Sequence, residues 1–400
     1  MPFIGITVAM RRTDFVNDVI SGTKSISYWC REYDISRPTG YKWLKRFENG
    51  ESMEDRSHRT FGTPMNKTDP EMEELILKKR EKEPAIGAVK IKRMLENEGV
   101  EKVPAHSTVN AILKRNGKIT KEESEARKQK IKRFEHANPN DQWQLDFKGD
   151  FALGDGQRCY PLSLIDDHSR FCLCADALGN EQREGVQSCF ERVMKEFGQP
   201  KVILCDNGNP WGCQNKTGFS GFGLWLMEHG ILPIHIRPHR PKTQGKVERF
   251  NGSYKRERLK FHIPANMQEA METRLEYQHF YNNERPHFAL NLDFPVQHYQ
   301  ASTRAFQEEI VAWNYSGAHE VIKIWSTGYM KIAGVNYYVG EIFARKEIEL
   351  RETEKNEDIR IVCYREFKIG VLDLKEHDIT IKRAYLIDGD PRNESPVIDG

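Results

Sequence analysis

Among the chain's 59 acidic residues, three sit where an acid needs a reason. Asp146 interrupts the strand-like run WQLDF, Asp206 closes KVILCD, and Glu248 lies in the helical stretch QGKVERFN. Strand interiors disfavour Asp, and a carboxylate buried without a partner is costly. A divalent cation would supply the partner. Mg2+ takes a few hard oxygen ligands and keeps waters, so two Asp from neighbouring strands and one Glu from a facing helix can hold two ions roughly 3.5–4 Å apart. Such a pair activates an attacking oxygen and stabilises a leaving one in phosphodiester chemistry. The intervals of 60 and 42 residues leave room for the chain to fold back between the acids. With so many acids available, spacing alone decides little and the surroundings must carry the assignment.

Those surroundings predict elements that could converge. Trp143, Leu145 and Phe147 alternate with Gln144, Asp146 and Lys148, a half-buried strand with Asp146 opposite the aromatic pair. The runs CYPLSLIDD and RFCLCADAL, joined by the turn-forming Asp166, Asp167, His168 and Ser169, predict a hairpin. His168 reads as a turn residue rather than a general base. A helix over 181–197 follows, then the strand ending at Asp206, a loop to 219, an apolar helix over 221–229, the strand LPIHI, and the linker RPHRPKTQG leading into the Glu248 helix. The order βββαβαβα adds parallel strands to an antiparallel start. Ligands of open α/β sheets bind at such strand ends. Beyond a helix over 267–282, short strands predict a small antiparallel barrel.

The net charge of +2 resolves into +7, 0 and −5 when the chain is cut near Asp141 and Asn291. A basic front end on a neutral middle fits a nucleic-acid-binding module joined to something else. Helical patterns at 14–21, 25–33 and from Ser36, with Pro38 in its first turn, read as helix-turn-helix. Trp43, Leu44 and Phe47 form the apolar stripe of the third helix, leaving Arg37, Thr39, Lys42 and Arg46 to face DNA. A plain three-helix bundle with a basic face is the alternative. After a polar linker over 51–68, a second trihelical unit ends in VPAHSTVNAILKRNG, a helix capped by Ser107 or His106, burying Val109, Ile112 and Leu113 and closing at Gly117. His106, Thr108, Asn110 and Lys114 are its candidate DNA contacts. From Lys114 to Arg133 nine basic residues face three acids, either a solvated run or a strap along phosphates. The eight cysteines lack a C-x-x-C pair, and the opening apolar run is too short to span a membrane, so a reducing cytoplasmic setting is expected.

WQLDFKGDF, LCDNGNPW and RPHRPKTQGKVERFN closely resemble the three motif blocks of bacterial insertion-sequence transposases of the DDE, retroviral-integrase-like superfamily. The resemblance implies that Asp146, Asp206 and Glu248 are metal ligands for two Mg2+ ions, with Mn2+ able to substitute. It implies a multidomain fold with N-terminal all-α helix-turn-helix units, a central α/β RNase H-like catalytic core, and a C-terminal small all-β, Src-homology-3-like barrel. The expected boundaries are 1–60 and 64–118 for the two DNA-binding domains, 119–140 for a basic linker, 141–300 for the core, 315–380 for the barrel, and 388–400 for a disordered tail. The second interval is longer than in many relatives, with the loop 212–222 absorbing the excess. In YNNERPHFAL, Arg285 and His287 read as structural. The implied reaction is hydrolysis at the transposon end followed by attack of the freed 3′ hydroxyl on target DNA. Partners would be double-stranded DNA and further copies of the chain, at least a dimer. On the Glu248 helix, Gln244, Asn251 and Lys255 share the acid's face, and Lys246, Arg249 and Lys255 are candidate DNA contacts. A domesticated, non-catalytic DNA-binding regulator or an RNase H-like nuclease are the competing functions.

Overall fold

The protein's structure, a computed structural model, describes residues 7–55, 68–119, 134–208, 210–211, 217–235, 244–353, 356–386 and 397–398. Most of the expected basic strap, most of the linkers after 51 and before Gln244, part of the loop 212–222, and most of the tail lie outside the described residues. The chain divides into two compact units, residues 1–68 and 69–400.

The first unit holds α1 (Val8–Ile20), α2 (Ile26–Glu32) and α3 (Arg37–Glu48). Thr7, Ser25 and Ser36 cap them, each side chain accepting from the backbone N–H three residues on. The Thr7 cap starts α1 well before the expected residue 14. Phe15, Val16, Cys30 and Trp43 form the core. The apolar stripe expected on α3 is corrected at two positions. Phe47 is exposed, and Arg46 is buried, its guanidinium 4.9 Å from the Trp43 ring and 3.5 Å from Glu51. An arginine stem covers apolar surface as a hydrocarbon does while its head sits over an aromatic face.

The second unit begins with α4 (Pro70–Lys82), α5 (Ala88–Asn97) and α6 (His106–Arg115) around Ile76, Ile91, Met94, Val109, Ile112 and Leu113. The cap of α6 also differs from expectation: Ala105 occupies the N-cap position and no side chain caps the helix, because His106 and Ser107 already lie inside the first turn. Instead of standing apart, these helices join the central domain. Arg258 donates both amino groups to the buried Glu83 (2.8 and 3.1 Å), and Arg93 reaches Asp293 at 3.1 Å.

The central sheet is built on β1 (Gln142–Phe147), β2 (Arg158–Asp166), β3 (Cys172–Leu178), β4 (Val202–Cys205) and β5 (Leu232–His235), in spatial order β3-β2-β1-β4-β5, with the two-residue strand Phe151–Ala152 pairing the start of β2. β2 runs antiparallel to β1 and β3, whereas β4 and β5 run parallel to β1. Trp143, Leu145 and Phe147 bury one face of β1 with α7 (Arg183–Phe197) and α8 (Gly221–Glu228). On the other face lie α9 (Gly245–Tyr254) and α10 (Met267–Asn283), packed through Val247, Phe250, Tyr254, Tyr277 and Tyr281. A π-helical turn, Lys255–Leu259, extends α9. Its buried Glu257 accepts from Arg285 through both oxygens (2.7 Å each) and from Tyr277 (3.0 Å). Arg285 is thus a structural residue, as is the buried His287 beside the Tyr281 carbonyl (3.2 Å).

The C-terminal region is all-β: β6 (Glu320–Lys323), the hairpin β7 (Tyr329–Ile332) and β8 (Val335–Tyr338), then β9 (Glu347–Thr353), β10 (Asn356–Tyr364), β11 (Phe367–Asp373) and β12 (Asp378–Leu386). Pairing runs β12-β11-β10-β9-β6, antiparallel throughout, with the hairpin separate. Among the described residues no pairing closes this sheet into a ring. Its apolar side packs on Phe219, Leu224 and Met227 of the central domain.

Candidate active site

β1 positions Asp146 by alternation. With Trp143, Leu145 and Phe147 turned into the core on one side, Gln142, Gln144 and Asp146 must face α9 on the other. Asp206 follows the last residue of β4, the parallel neighbour of β1, so the two Asp emerge from adjacent strands. Glu248 lies in the first turn of α9, where the helix dipole favours an acid.

Asp146 feels the charge of both other acids. Burial, then the neighbouring charge of Asp206, pushes Asp146 up to about 7; Glu248 and Glu181 add to this, and the hydrogen bond from Asn251 opposes it. Partial burial also raises Glu248. A carboxyl near neutrality among other carboxylates lacks an internal cation, which suits a site for hard divalent ions. The acids are not drawn into one tight sphere. Among the described residues, only Cys174, Asp176 and Cys189 bring three ligand-type atoms within 4.8 Å of one another. That group is already satisfied: Cys189 donates to Asp176 (2.8 Å), and Arg192 spans both Asp176 oxygens at 2.7 and 2.6 Å. With its one carboxylate neutralised by a guanidinium, the group is a buried hydrogen-bond network rather than a metal centre.

Asp146 is held from behind. Asn251 Nδ2 donates to Asp146 Oδ2 (3.0 Å), and Asn251 Oδ1 accepts from Ser163 Oγ (2.7 Å). Ser163 in turn accepts from the fully buried Arg274 (2.8 Å), whose guanidinium lies 4.9 Å from the Tyr254 ring. Asp206 Oδ1 accepts from Gly208 N (2.8 Å) and from the Trp211 indole, while His235 Nδ1 contacts the Asp206 carbonyl (3.0 Å). Gln244, the N-cap residue of α9, is buried and donates to the Leu145 carbonyl (3.0 Å), whereas Glu248 is exposed.

The expected DNA contacts divide by exposure. Arg37, Lys42, His106, Lys114, Arg249 and Lys255 are exposed, and Thr39, Thr108 and Asn110 are half-buried. Arg46 is turned into its own module, as above. Lys246 is corrected likewise: it is largely buried and ion-paired with Asp167, whose carboxyl it holds below the usual range against the upward push of burial. Burial pulls Lys246 itself down to about 8. Gln144, Ser163, Asp167 and Arg274 carried no signal as site residues in the sequence, since only the pairing of β1 with β2 and the docking of α9 and α10 bring them together behind the Asp146 strand and the Glu248 helix. No helix among the described residues is long and apolar enough to cross a membrane.

Two integrase core domain families match residues 136–241 and 229–295, a helix-turn-helix domain matches 11–59, and a homeodomain-like domain matches 39–113. The chain is 27% identical over 164 residues to an uncharacterized 39.2 kDa protein of insertion element IS476 from Xanthomonas euvesicatoria, covering 40% of this chain and 44% of that protein. It is 27% identical over 178 residues to an uncharacterized 31.7 kDa protein of insertion element IS407 from Burkholderia multivorans, covering 42% and 61%. It is 24% identical over 243 residues to the transposase for insertion sequence element IS21 from Pseudomonas aeruginosa, covering 55% and 57%. The chain thus spans less than two thirds of each of these relatives. Among solved structures, the HTLV-2 integrase catalytic core domain in complex with magnesium is 18% identical, with a TM-score of 0.31, 40% of this chain covered and 97% of that one. A simian T-cell lymphotropic virus intasome with the PP2A regulatory subunit B56 gamma is also 18% identical, with a TM-score of 0.35, covering 76% and 99%. Both scores are low, and the family assignment rests on the domain and insertion-element matches.

Proposed function

Because this chain belongs to the insertion-sequence transposases of the DDE, retroviral-integrase-like superfamily, we propose that it binds the terminal inverted repeats of its element and catalyses 3′-end hydrolysis and strand transfer into target DNA. The observation that carries the reading is the placement of the acids: Asp146 and Asp206 emerge from adjacent parallel strands, and the helix that bears Glu248 is tied to the Asp146 strand through Gln144 and Asn251. Burial and the charge of Asp206 push the Asp146 carboxyl up to about 7, with Glu248 contributing. Asp146, Asp206 and Glu248 would hold the metal, two Mg2+ ions for which Mn2+ substitutes. Bound there, the ions would supply Lewis-acid activation of the attacking oxygen and stabilisation of the leaving one. The chain's own residues do the rest: Asn251 fixes one Asp146 oxygen, Trp211 and Gly208 fix Asp206, and the exposed Arg249 and Lys255 hold phosphates beside Glu248. No protein nucleophile is required, since the attacking groups are water and the DNA 3′ hydroxyl.

The spatial order β3-β2-β1-β4-β5 supports an RNase H-like core over 141–300. The antiparallel strands over 315–380 support a small Src-homology-3-like barrel. The helices over 1–60 and 64–118 would read the repeat, α3 through Arg37, Thr39 and Lys42, and α6 through His106, Thr108, Asn110 and Lys114. Two ends must be handled together, so the working form is a homo-oligomer on DNA, at least a dimer.

The test is a joining assay with the inverted repeats that flank the gene. Asp146→Asn or Glu248→Gln is expected to abolish strand transfer in Mg2+ while leaving end binding within about twofold, because the readers lie elsewhere. Joining by either variant would sink the proposal. Cutting without joining by the wild-type chain would favour the nuclease.

A further inference from the structure

Helix α9 begins without help from its own sequence. Its N-cap residue Gln244 makes no side-chain cap, yet the first N–H groups of any helix lack intrahelical partners. The partner comes from β1. Gln144, 1% exposed, turns its Oε1 to the helix start and accepts from both Lys246 N and Val247 N at 3.3 Å. Its amide nitrogen donates to Asp167 Oδ1 (2.7 Å), so the orientation of the amide is set by the carboxylate behind it. Asp167 sits in the turn after β2, accepts from His136 N (2.9 Å), and pairs with the Lys246 side chain through its other oxygen. One strand residue thus caps the backbone of the helix start, while one turn residue holds both that strand residue and a side chain of the same helix.

A second attachment lies one helical turn further on, where Asn251 meets Asp146. Gln144 and Asp146 are two apart on β1 and share a face; Val247 and Asn251 are four apart on α9 and share a face. Glu248 falls between the two attachments. A helix docked at one point can turn about its axis, and one docked at two points cannot, so the direction of Glu248 relative to Asp146 is set by both.

From this geometry we infer that Gln144, Asp167 and Lys246 form a latch that orients the Glu248 helix against the Asp146 strand, and that they are positioning residues for the carboxylate centre. The inference rests on the reading of Asp146, Asp206 and Glu248 as a metal site. It assigns Lys246 to the latch in place of DNA contact, and gives Gln144 and Asp167 a role in the position of an acid neither of them touches. Residues that orient metal ligands typically change metal affinity or activity by roughly 10–100-fold when replaced.

The test uses the full chain and Mn2+ as the probe, with binding followed by electron paramagnetic resonance, alongside thermal melting and affinity for end DNA. Gln144→Met keeps the volume but removes the cap, and Lys246→Ala removes the ion pair. Each is expected to weaken Mn2+ binding by roughly 10–100-fold while DNA affinity stays within about twofold, and Lys246→Arg, which keeps the pair, should bind Mn2+ much as the wild type does. A purely structural role would lower the melting temperature of Gln144→Met and leave Mn2+ affinity intact, which overturns the inference. Loss of DNA affinity in Lys246→Ala with Mn2+ binding unchanged overturns it too and returns Lys246 to the DNA surface. Should Gln144→Met fail to fold, the Lys246→Ala and Lys246→Arg pair decides by the same readouts. If Asp146→Asn binds Mn2+ as the wild type does, the metal-site reading itself has failed, an outcome distinct from an intact site with an indifferent latch.

Discussion

Asp146 carries a pH signature that the metal-free protein should display. Its folded carboxyl titrates at about 7 against an ordinary 3.8, so between those values the folded chain holds a proton that the unfolded chain has lost. The buried charge therefore opposes folding most above pH 7, and this opposition fades as pH falls toward 4. In a chelator, lowering the pH from 8 to 6 is expected to benefit the wild-type melting temperature more than that of Asp146→Asn, and at pH 8 the variant should melt several degrees higher. Scanning fluorimetry of both proteins checks this; identical pH profiles would contradict the crowding of Asp146. Adding Mg2+ at pH 8 should raise the wild-type midpoint and leave Asp146→Asn where it was, since only a ligand bound to the folded state stabilises it.

The helices show where local signals suffice. α3 was legible from Ser36, Pro38 and its apolar spacing, and its Ser36 cap forms as the sequence implies. Gly40 was not legible, because its meaning depends on another helix: a Cβ there would lie 2.6 Å from Cys30 Sγ and 3.1 Å from the Phe15 ring. Gly40→Ala gains about 1 kcal/mol of helix propensity and loses about 1–3 kcal/mol to overpacking, so the expected net effect is a loss of stability in residues 8–55. Cys30→Ala in the same chain should recover part of it. Denaturant unfolding of the single and double variants checks this, and a raised midpoint in Gly40→Ala would refute the close approach. Strand β12 runs past the expected barrel boundary at residue 380: Ile379 and Ile381 alternate with polar residues, but the surrounding charges resemble a loop until β11 supplies the ladder and a buried side.

Across the molecule, the second trihelical unit is welded to the central domain. Glu83 is nearly fully buried and accepts from both amino groups of Arg258 across 175 residues of sequence. Glu83→Ala would leave that guanidinium short of its partner, and a cost of about 1–3 kcal/mol is expected, visible as a lower midpoint for the unit 69–400. An unaltered midpoint would show that the pair adds nothing. The C-terminal sheet is joined to the same unit from another side through Phe219, Leu224 and Met227, which is why residues 69–400 form one compact body although their sequence patterns read as three domains.

Alternation, capping and motif context were enough to place Asp146 on the polar side of a strand, Asp206 at a strand end and Glu248 in a first helical turn, because each depends on residues within a few positions. The same local information identified the helix-turn-helix patterns and the order of the central elements. It could not tell a surface lysine from Lys246, nor an outward arginine from Arg46, since burial and ion pairing depend on what arrives from 80 residues away or from across a helix. The packing of α9 and α10 on β1 and β2 decided which polar groups stand behind the three acids, and Gln144, Asp167 and Arg274 became part of the site only there. A carboxylate can be recognised as a candidate ligand by its neighbours in sequence, but its direction and its proton affinity are set by neighbours in space.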